Sequence, residues 1–243
     1  LNQVGVAPFI SAGATWKYHD KGVDLGTAWR EPEFNDSGWS NGAAQLGFGD
    51  NPADETTRIA RSNVTMTASV TTFYFRRAFN ITNAETLGAL SMWMLRDDGA
   101  VVYINGKEVF RSSSMPAGTI SYSTYANALG SAPGDNSIDT ATISATNLVN
   151  GTNIVAVELH QFDPPSSDAS FDFSLSASVV TRPPQHIWRE PAGPGGGFVL
   201  SWGDSAYTLE EASTVTGVWT KVTAPAPFTV MPTNEQRFYR LRP

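Results

Sequence analysis

Apolar and polar residues alternate with a period of two along much of the chain, and the 3.6-residue period of a helix is nearly absent. In SFDFSLSASVV, residues 170–180, Phe171 and Phe173 fall on one face, and Asp172 falls on the other face with the serines. The segment NIVAVELHQF, residues 153–162, alternates in the same way. Alternation of this kind predicts antiparallel strands.

The stretch RDDGAVVYINGKEVFR, residues 96–111, predicts a β-hairpin. Its Asn105-Gly106 pair tolerates positive φ at both central positions of a type I′ turn and lies between β-branched and aromatic runs. A two-residue turn fixes the pairing as Ile104 with Lys107, Tyr103 with Glu108, Val102 with Val109 and Val101 with Phe110. Because both faces are apolar near the Asp97-Asp98 end, we expect the hairpin to lie inside a layered structure rather than at an edge.

Two further segments bear on the fold. Leu90 to Leu95 is apolar on both sides, as in a central strand, and TTFYFRRAFNI places Arg77 on an otherwise apolar face. Either a bulge shifts the register at Arg77, or a buried guanidinium meets a carboxylate. With further strands near residues 15–18 and 140–144, the first 180 residues are predicted to form an all-β antiparallel sandwich of two sheets.

A proline pair in TRPPQH, residues 181–186, interrupts the strand pattern, because consecutive prolines cannot continue a ladder. Five short strand-like runs follow, separated by Gly, Pro and Thr: FVLSW, YTLEEA, WTKVT, FTV and RFYRLR. We therefore predict two domains, a β-sandwich over residues 1–181 and a small sandwich-like β domain over residues 182–243.

Composition narrows the classes of function. The chain has no cysteine, which excludes disulfides and thiolate metal sites, and its net charge of −7 disfavours nucleic acid as a partner. No apolar run approaches the ~20 residues of a membrane span, so we expect no membrane insertion. The low charge and the abundance of Thr, Ser, Asn and Gly favour an exported bacterial protein, secreted or at the cell surface, and we expect a monomer. The opening LNQVGVAPF has no Met or signal segment and favours a mature or excised fragment.

Residues that carry common enzyme chemistry are sparse. The histidines His19, His160 and His186 form no HExxH pair, and neither GxSxG nor a P-loop is present. Glu158 and Asp172, expected on adjacent strands, are a carboxylate pair of glycosidase type, but such a pair needs a deep cleft, for which a small sandwich has little room. We predict that the chain is not an enzyme.

Candidate binding residues lie where a predicted strand gives way to a loop. Glu158 and His160 share one strand face, where they line a polar groove or lie on a solvated outer face; Glu158 has the further alternative of a buried pair with Arg77. His160 and Gln161 precede the loop FDPPSSD, which ends at Asp168. Loops at the ends of sandwiches often carry recognition residues.

Aromatic residues are concentrated in the first fifty positions: Trp16, Tyr18, Trp29, Trp39 and Phe48. An exposed indole can stack on the apolar face of a sugar ring. Tryptophan is also a common core residue, so both interpretations stay open for each position. Trp39, in the turn-like segment FNDSGW, is the candidate for a sugar platform.

Three acidic groups offer the hard oxygen atoms that calcium prefers: Asp97-Asp98, Asp50-Asn51 with Asp54-Glu55, and Asp163 with Asp168. Isolated acids of this kind more often cap turns. The adjacent Asp97-Asp98 pair is less ordinary, because neighbouring carboxylates repel each other unless a cation or an arginine such as Arg96 lies between them.

Several motifs occur in a recognisable order: WKYHDKG, TAWREPEFNDSGW, GAAQLGFGD, TTFYFRRAFN, RDDGAVVYINGKEVFR, MPAG, NGTNIVAVELHQ and SSDASFDFSL. Together, over about residues 14–180, they resemble a galactose-binding-like jelly-roll domain of the secreted multimodular proteins of Verrucomicrobia and Planctomycetes. DDGAVVYING followed by NGTNIVAVEL is also similar to the sugar-binding sandwich of family 2 glycosidases, and DDG before a hairpin resembles PA14 domains. The C-terminal segment is similar to small Ig- or fibronectin-III-like modules.

The resemblance implies a non-catalytic carbohydrate-binding module that holds a polysaccharide beside other domains of its parent chain. In PA14-type lectins paired acids bind calcium, which implies a Ca²⁺ site at Asp97 and Asp98. Taken with the residues above, we expect the ligand to contact Trp39, Arg96, Asp98, His160, Gln161 and Asp168. The alternative is a structural or adhesive spacer pair that packs against a neighbouring catalytic domain and has no glycan affinity.

Overall fold

The computed structural model describes residues 2–5, 8–49, 55–62, 68–130, 136–164, 166–181, 185–193, 196–231, 233 and 235–242. Its backbone divides into two compact units, residues 3–180 and residues 181–243 together with the first two residues. The described residues are almost entirely strands and turns, so the predicted all-β class is confirmed. Among them, no helix has the length and apolar character needed to cross a membrane.

The larger unit contains twelve described strands: β1 Asn2–Gly5, β2 Thr15–His19, β3 Ser40–Ala43, β4 Leu46–Phe48, β5 Thr57–Arg58, β6 Thr72–Ile81, β7 Leu87–Asp97, β8 Gly99–Ile104, β9 Lys107–Arg111, β10 Ser137–Ile143, β11 Gly151–His160 and β12 Ala169–Thr181. Single-turn 3-10 helices occupy Ala28–Arg30, Ala84–Thr86 and Ala145–Asn147. One sheet has the order β10-β7-β12-β4-β5, with β1 also on β12, and the other has the order β3-β2-β6-β11-β8-β9. The described pairings are antiparallel apart from β4 with β5.

The core between the two sheets is rich in aromatic rings. Phe75 of β6 stacks on Phe171 of β12, with ring centroids 4.1 Å apart. Trp16 of β2 meets Phe171 and Phe173 edge-on, at 5.1 Å and 5.5 Å. Phe171 and Phe173 are buried while Asp172 lies on the outer side, so the predicted alternation of β12 is confirmed.

Strand β11 is covered on both faces. Val155, Val157 and Leu159 enter the core between the sheets, as the alternation predicted. Ile154 and Ala156 point the other way, into a second apolar cluster. That cluster includes residues of two long connections, Trp29 from the β2–β3 connection and Met115, Ile120 and Ala126 from the β9–β10 connection. These connections therefore form a third layer over the second sheet.

The Asn105-Gly106 turn is confirmed, with φ of 50° and 79° at its two residues. The predicted pairs next to the turn, Ile104 with Lys107 and Tyr103 with Glu108, are also confirmed. Beyond them the prediction was wrong: Val102 pairs with Phe110 and Val101 with Arg111. A bulge at this point places one extra residue on β9, which shifts the register by one position.

The two strands of the hairpin differ in burial. β8 is buried along its whole length, whereas β9 is an edge strand with Lys107 and Glu108 exposed. The expectation that the hairpin lies inside the layers therefore holds for β8 and was wrong for β9.

The environment of Arg77 matches neither the bulge nor the buried ion pair that the sequence suggested. β6 pairs with β11 without interruption from Thr72 to Ile81, so no bulge lies at Arg77. The Arg77 guanidinium is half-buried and donates to the backbone carbonyl of Thr15 rather than to a carboxylate. The deeply buried guanidinium belongs to its neighbour Arg76, which faces the opposite side of the sheet.

Strand β7 is an inner strand, between β10 and β12, as predicted. Leu90, Met92 and Met94 are buried on its core face. Its outer face is less covered than its sequence suggested, with Trp93 half-buried and Ser91 exposed.

The smaller unit contains six described strands: β13 Trp188–Pro191, β14 Phe198–Ser201, β15 Thr208–Ala212, β16 Thr220–Lys221, β17 Phe228–Val230 and β18 Phe238–Arg242. They form two three-stranded sheets, β13-β14-β17 and β16-β15-β18. The five predicted strand segments each contain one of these strands, and β13 was not predicted. The assignment of residues 1–181 and 182–243 to independent domains stays a prediction.

Candidate functional site

The predicted ligand residues gather mainly at one end of the sandwich, where the chain passes from β7 in one sheet to β8 in the other. Asp97 pairs with Ser170 across β7 and β12, and His160 pairs with Gly99 across β11 and β8. Packing here is tight, since a Cβ atom added to Gly99 would lie 2.5 Å from the Cβ of Ala126. The glycine of the DDG motif is therefore required by close packing.

Asp98 anchors two loops from a buried position, with only 4% of its surface exposed. Its Oδ2 accepts hydrogen bonds from the amide of Phe162 at 2.7 Å and from the hydroxyl of Ser166 at 3.1 Å. Its carbonyl accepts from Arg96 Nη1 at 2.5 Å and from Ser114 Oγ at 3.1 Å. These contacts fix the loop after β11 and the connection after β9 to the same residue.

Asp97 is also buried, at 2% exposure, and Arg96 pairs with Asp139, with Nε 2.8 Å from Oδ2. Among the residues that the structure describes, no three His, Asp or Glu side chains are grouped as a metal site requires. Positions 50–54, part of another acidic group, lie outside the described residues. Calcium at Asp97 and Asp98 therefore stays a prediction.

Gln161 and Asp168 close the loop that they flank. The Gln161 amide Nε2 donates to the carbonyl of Asp168 at 3.1 Å, and Gln161 is 3% exposed. Its backbone is also engaged, because its N–H donates to Thr71 and its carbonyl accepts from Ala126. The structure thus brings these residues together, but as internal supports of the loop rather than as an open ligand surface.

Glu158 lies beneath the third layer and is 1% exposed. Its Oε1 accepts from Tyr103 Oη at 2.6 Å and from Arg30 Nη2 at 3.2 Å, and its Oε2 lies 3.5 Å from His160 Nε2. The Arg30 guanidinium also lies over the Tyr103 ring, 4.2 Å from the centroid. The solvated-face interpretation of Glu158 was therefore wrong, and its buried partner is Arg30 rather than Arg77.

The ionisation of this cluster follows from its contacts. Burial acts to raise the pKa of Glu158, but the hydrogen bonds and charges of His160, Tyr103 and Arg30 hold the pKa below its ordinary value. Burial and the Glu158 carboxylate raise the pKa of Tyr103. His160 Nδ1 lies 2.8 Å from the carbonyl of Thr124, which can only accept, so Nδ1 carries a proton. Glu158 is therefore an ionised internal support beneath the covering layer.

Glu158 and Asp172 do not form the carboxylate pair considered from the sequence. Glu158 is on β11 and Asp172 is on β12, and these strands belong to different sheets. Asp172 accepts the Gly13 amide on the far outer face, at 3.0 Å. The prediction that the two lie on adjacent strands was wrong, because consecutive strands here cross from one sheet to the other.

The aromatic residues near the N-terminus divide into core and partly open positions. Trp16, Trp29 and Phe48 are buried. Trp39 is half-buried, and its ring lies 5.8 Å from that of Phe34 and 5.5 Å from that of His19. Trp39 thus belongs to a row of rings that borders the second sheet rather than to the end with the paired acids.

An open groove of about 350 Å³ lies on the outer face of the second sheet, beside the β2–β3 connection. We call it the β2–β6 groove, and it is lined by Thr15, Lys17, Pro32, Phe34, Asp36, Asn41, Arg76, Arg77, Ala78 and Ile154. It combines an aromatic ring, an amide and several charged groups at the surface. Its composition makes it the best candidate for a ligand site in the part of the chain that the structure describes.

Asp36 organises the floor of the β2–β6 groove. Its Oδ1 lies 2.8 Å from Lys17 Nζ, and its Oδ2 lies 2.9 Å from Arg76 Nε. Burial acts to raise the pKa of Asp36, but hydrogen bonds from Lys17 and Arg76 and their charges lower it. Arg76 also donates to the carbonyls of Trp29 and Glu31 and lies over the Phe34 ring, 5.4 Å from its centroid. The polar groups are therefore held in place before any ligand arrives.

Sequence reasoning missed this groove. The sequence feature that indicates this groove is the arginine pair in TTFYFRRAFNI. The alternation pattern singles out Arg77 of that pair, whereas the structure buries Arg76 more deeply. Asp36 lies in a turn-like segment and reaches Arg76 forty residues along the chain, a contact that no local pattern encodes.

A second, wider depression of about 750 Å³ lies at the other end of the larger unit. It is formed by residues 84–89 and 144–150 and is lined largely by small and apolar side chains, among them Leu87, Ala145 and Leu148. Val149 at its border is 52% exposed. Its lining also includes the polar residues Glu85, Ser144, Thr146 and Asn150.

Comparison with known proteins adds little about function. No protein-family model matches the chain, and no curated protein matches it. Solved structures with some likeness include a Bacteroides uniformis β-glucuronidase, with 14% identity and a TM-score of 0.43 over 95% of this chain and 27% of that one. A β-glucuronidase from an uncultured Clostridium has 11% identity and a TM-score of 0.42 over 99% and 38%. A glycosyl hydrolase family 2 member from Bacteroides cellulosilyticus has 11% identity and a TM-score of 0.43 over 96% and 31%.

The chain spans between 27% and 38% of the length of these three proteins. A likeness at this level assigns no function to the chain. The functional argument therefore comes from the residues and geometry of the chain itself.

Proposed function

We propose that the larger unit is a non-catalytic carbohydrate-binding module of an extracellular multimodular protein, and that the smaller unit is a spacer module. The observation that carries this proposal is the β2–β6 groove, in which fixed polar groups lie beside an aromatic ring. The order of motifs that resembles galactose-binding-like domains supports the same function.

The groove has the chemistry that a sugar requires. Sugar hydroxyls both donate and accept hydrogen bonds, and here Asp36 accepts, Lys17 donates and the Asn41 amide does both. The partly exposed Phe34 ring offers an apolar face for the C–H groups of a pyranose. Because Lys17, Asp36 and Arg76 already contact one another, little side-chain entropy is lost on binding.

The expected affinity is modest. An open site exchanges hydrogen bonds with water for hydrogen bonds with sugar, and the net gain per bond is only about 0.5–1.5 kcal/mol. A volume of about 350 Å³ is near the lower end of ligand pockets, which are about 300–1,000 Å³. The groove therefore suits a short stretch of a polysaccharide, whose chain extends beyond the site at both ends.

A glycan array of plant and algal polysaccharides tests this proposal. The whole chain is expected to bind at least one polymer, and Phe34→Ala and Asn41→Ala are expected to weaken that binding. Asn127→Ala, at an exposed position outside the groove lining, is the matched control and should bind as the parent does. Absence of binding to every polymer on the array would contradict the proposal.

A structural role is the second candidate, because the wide depression at residues 84–89 and 144–150 presents the apolar residues Leu87, Leu148 and Val149 beside its polar ones. In that role the chain would be a spacer that packs against a neighbouring catalytic domain of the same parent protein. Polysaccharide binding that is lost in the Phe34→Ala variant would argue against this alternative as the main function.

Calcium is a separate proposal that concerns Asp97 and Asp98. A bound ion stabilises the folded state by mass action, so removal of the ion with EDTA should lower the Tm. An unchanged Tm would contradict the calcium proposal and leave Asp98 with its loop-anchoring role.

A further inference from the structure

The outer face of the first sheet carries a tryptophan at its centre. Strand β7 lies between β10 and β12, and its Trp93 pairs with Thr140 on one side and with Ser174 on the other. We call the outer surface of these three strands around Trp93 the Trp93 face. Resting on the proposed function, we propose that the Trp93 face is a second glycan-binding surface of the larger unit, and that it takes the chain of a neutral polysaccharide.

The direction of these side chains follows from the alternation along each strand. Met92 and Met94, the neighbours of Trp93 in the chain, are buried in the core, so Trp93 points outward. The same alternation sends Ser174 outward between two buried residues of β12, and Thr140 of β10 is exposed to solvent. Trp93 itself is half-buried, so part of its surface is open to a ligand.

The two outer faces of the larger unit are covered to different extents. Trp29 and the two long connections lie over the second sheet and bury an apolar cluster there. Among the residues that the structure describes, neither apolar cluster of the larger unit includes Trp93. On the neighbouring strand, Ile138 has 59% of its surface exposed. The Trp93 face is therefore open within the larger unit.

Hydroxyl side chains surround Trp93 on three sides. Those on the outer face of the same three strands, within one outward position of Trp93, are Thr140, Thr142, Ser91, Ser174 and Ser176. Each hydroxyl can donate and accept a hydrogen bond, as the hydroxyls of a sugar do. The threonines are branched at Cβ and have few rotamers, so little side-chain entropy is lost when they bind.

Apolar side chains complete the fourth side of the face. Leu95 pairs with Ile138 there, and together with the indole they offer apolar surface to the C–H groups of sugar rings. Outward positions repeat every ~6.8 Å along a strand and strands lie ~4.8 Å apart, so three rows on three strands cover about 14 Å by about 10 Å. A flat area of this extent suits a polymer chain that lies across it.

One charged residue lies next to Trp93 on this face. Asp172 is diagonal to Trp93, beside Leu95, and its carboxylate already accepts the amides of Gly13 and Phe173. Among the described outward positions of β7, β10 and β12 there is no lysine or arginine. The immediate surroundings therefore contain nothing that would attract an anionic polymer.

The next charges on the same sheet are too far away to change this. Asp97 is buried and lies four residues beyond Trp93 on β7, at roughly 14 Å. Arg58 lies on β5, three strands away from β7, also at roughly 14 Å or more. Charges further apart than about 8 Å are largely screened at physiological ionic strength. Since the protein as a whole carries a net charge of −7, a polyanion is disfavoured and a neutral polymer is the occupant that fits.

The composition of the face also favours a glycan over a protein. Serine is depleted at protein–protein interfaces, whereas here serines and threonines form most of the surroundings of Trp93. Hydroxyls buried without a hydrogen-bond partner cost free energy, and a sugar supplies partners at short intervals. A second copy of the chain is the competing occupant, because β10 is an edge strand with Ile138 exposed.

Affinity electrophoresis of the whole chain tests the inference, in native gels that contain galactomannan, xyloglucan or mixed-linkage β-glucan. Phe34→Ala, which weakens the β2–β6 groove, is the background. Addition of Trp93→Ala is expected to weaken binding to at least one of these polymers about three- to tenfold. Trp188→Ala removes an exposed tryptophan from the smaller unit and is the matched control, which should bind as Phe34→Ala alone does. Binding should not change as NaCl is raised.

Thr140→Lys provides a second variant that keeps the indole. Thr140 is exposed on an edge strand, where lysine is well tolerated, and a lysine there reaches over the neighbouring Trp93. We expect it to weaken binding as Trp93→Ala does, with the Tm of the parent. In ¹H–¹⁵N NMR, the indole Nε1–H signal of Trp93, identified by its loss in Trp93→Ala, should shift saturably with an oligosaccharide of the polymer that binds.

The outcomes separate this inference from the proposed function. Binding that Trp93→Ala and Thr140→Lys leave unchanged, or that disappears as NaCl is raised, overturns the inference alone. Absence of binding to the three neutral polymers by a chain that binds on the glycan array also overturns it alone, whereas absence of binding in both experiments overturns the proposed function as well. A dimer in analytical ultracentrifugation that Thr140→Lys dissociates, without any effect of Trp93→Ala on glycan binding, identifies a second copy as the occupant and overturns the inference.

Discussion

The structural role of Asp98, in the DDG motif, depends on contacts with residues that are far away in the sequence. Its carboxylate accepts the amide of Phe162, which is 64 residues away in the chain. The structure places Asp98, His160, Gln161 and Asp168 near one end of the larger unit. The burial of Asp98, His160 and Gln161 was not predicted, because the path of a loop over a strand end has no periodic signal.

We expect Asp98→Ala to release the loop after β11. The variant leaves the partly buried amide of Phe162 without its acceptor, at a cost of about 1 kcal/mol in the free energy of unfolding. Hydrogen exchange at the Phe162 amide should become much faster. Asp163→Ala, in the same loop, is the control and should leave that exchange rate unchanged; equal protection of Phe162 in both variants would refute the anchoring role.

Glu158→Gln tests the buried charge cluster. Loss of the carboxylate leaves the Arg30 guanidinium without its ionic partner, so the free energy of unfolding should fall by about 3 kcal/mol. Glu108→Gln removes an exposed carboxylate that pairs with Arg111, and should cost less than about 1 kcal/mol. Urea unfolding of both variants gives the comparison, and a similar cost for the two would show that the cluster contributes little.

The shifted pKa values of three carboxyl groups predict how the stability of the fold depends on pH. The pKa values of Glu158 and Asp36 are lowered in the folded state, so the stability that they contribute is present above about pH 4.5 and is lost as the pH falls through the lowered values. Asp172, whose pKa burial raises, has an effect of opposite sign. Urea unfolding between pH 7 and pH 3 should show a shallower loss in Glu158→Gln than in the parent. Equal slopes would contradict this account.

At the scale of elements, strands were predictable and their exact pairing was less so. The Asn105-Gly106 turn and the alternation of β11 and β12 follow from local chemistry, since positive φ and period-two burial are encoded within a few residues. The bulge on β9 and the third layer over β11 were not predicted. Both depend on how one element fits against another, and the covering loops have no regular period.

Glycines at strand contacts provide a test at this scale. A Cβ atom added to Gly47 of β4 would lie 2.2 Å from the carbonyl oxygen of Ala169, so the two strands must move apart in Gly47→Ala. We expect a loss of at least about 1–3 kcal/mol and a lower Tm. Gly38→Ala is the matched control, because an added Cβ there meets no atom within 4 Å. Equal Tm values for the two variants would contradict the close approach of β4 and β12.

For the whole molecule, composition and pattern predicted the all-β class, which the structure confirms. The candidate ligand surface could not be predicted in the same way. The β2–β6 groove depends on Asp36 reaching Arg76 and on Arg77 reaching Thr15, and these contacts form only when β2, β6 and the β2–β3 connection come together.

The central claim is that the β2–β6 groove, rather than the end of the sandwich with the paired acids, binds sugar. Two-dimensional ¹H–¹⁵N NMR of the whole chain titrated with an oligosaccharide of the polymer that it binds on the glycan array tests it most directly. Our account predicts saturable shifts at the amides of Lys17, Asn41 and Ala78. Shifts confined to residues 97–99 and 161–168, or no shifts at millimolar ligand, would contradict it.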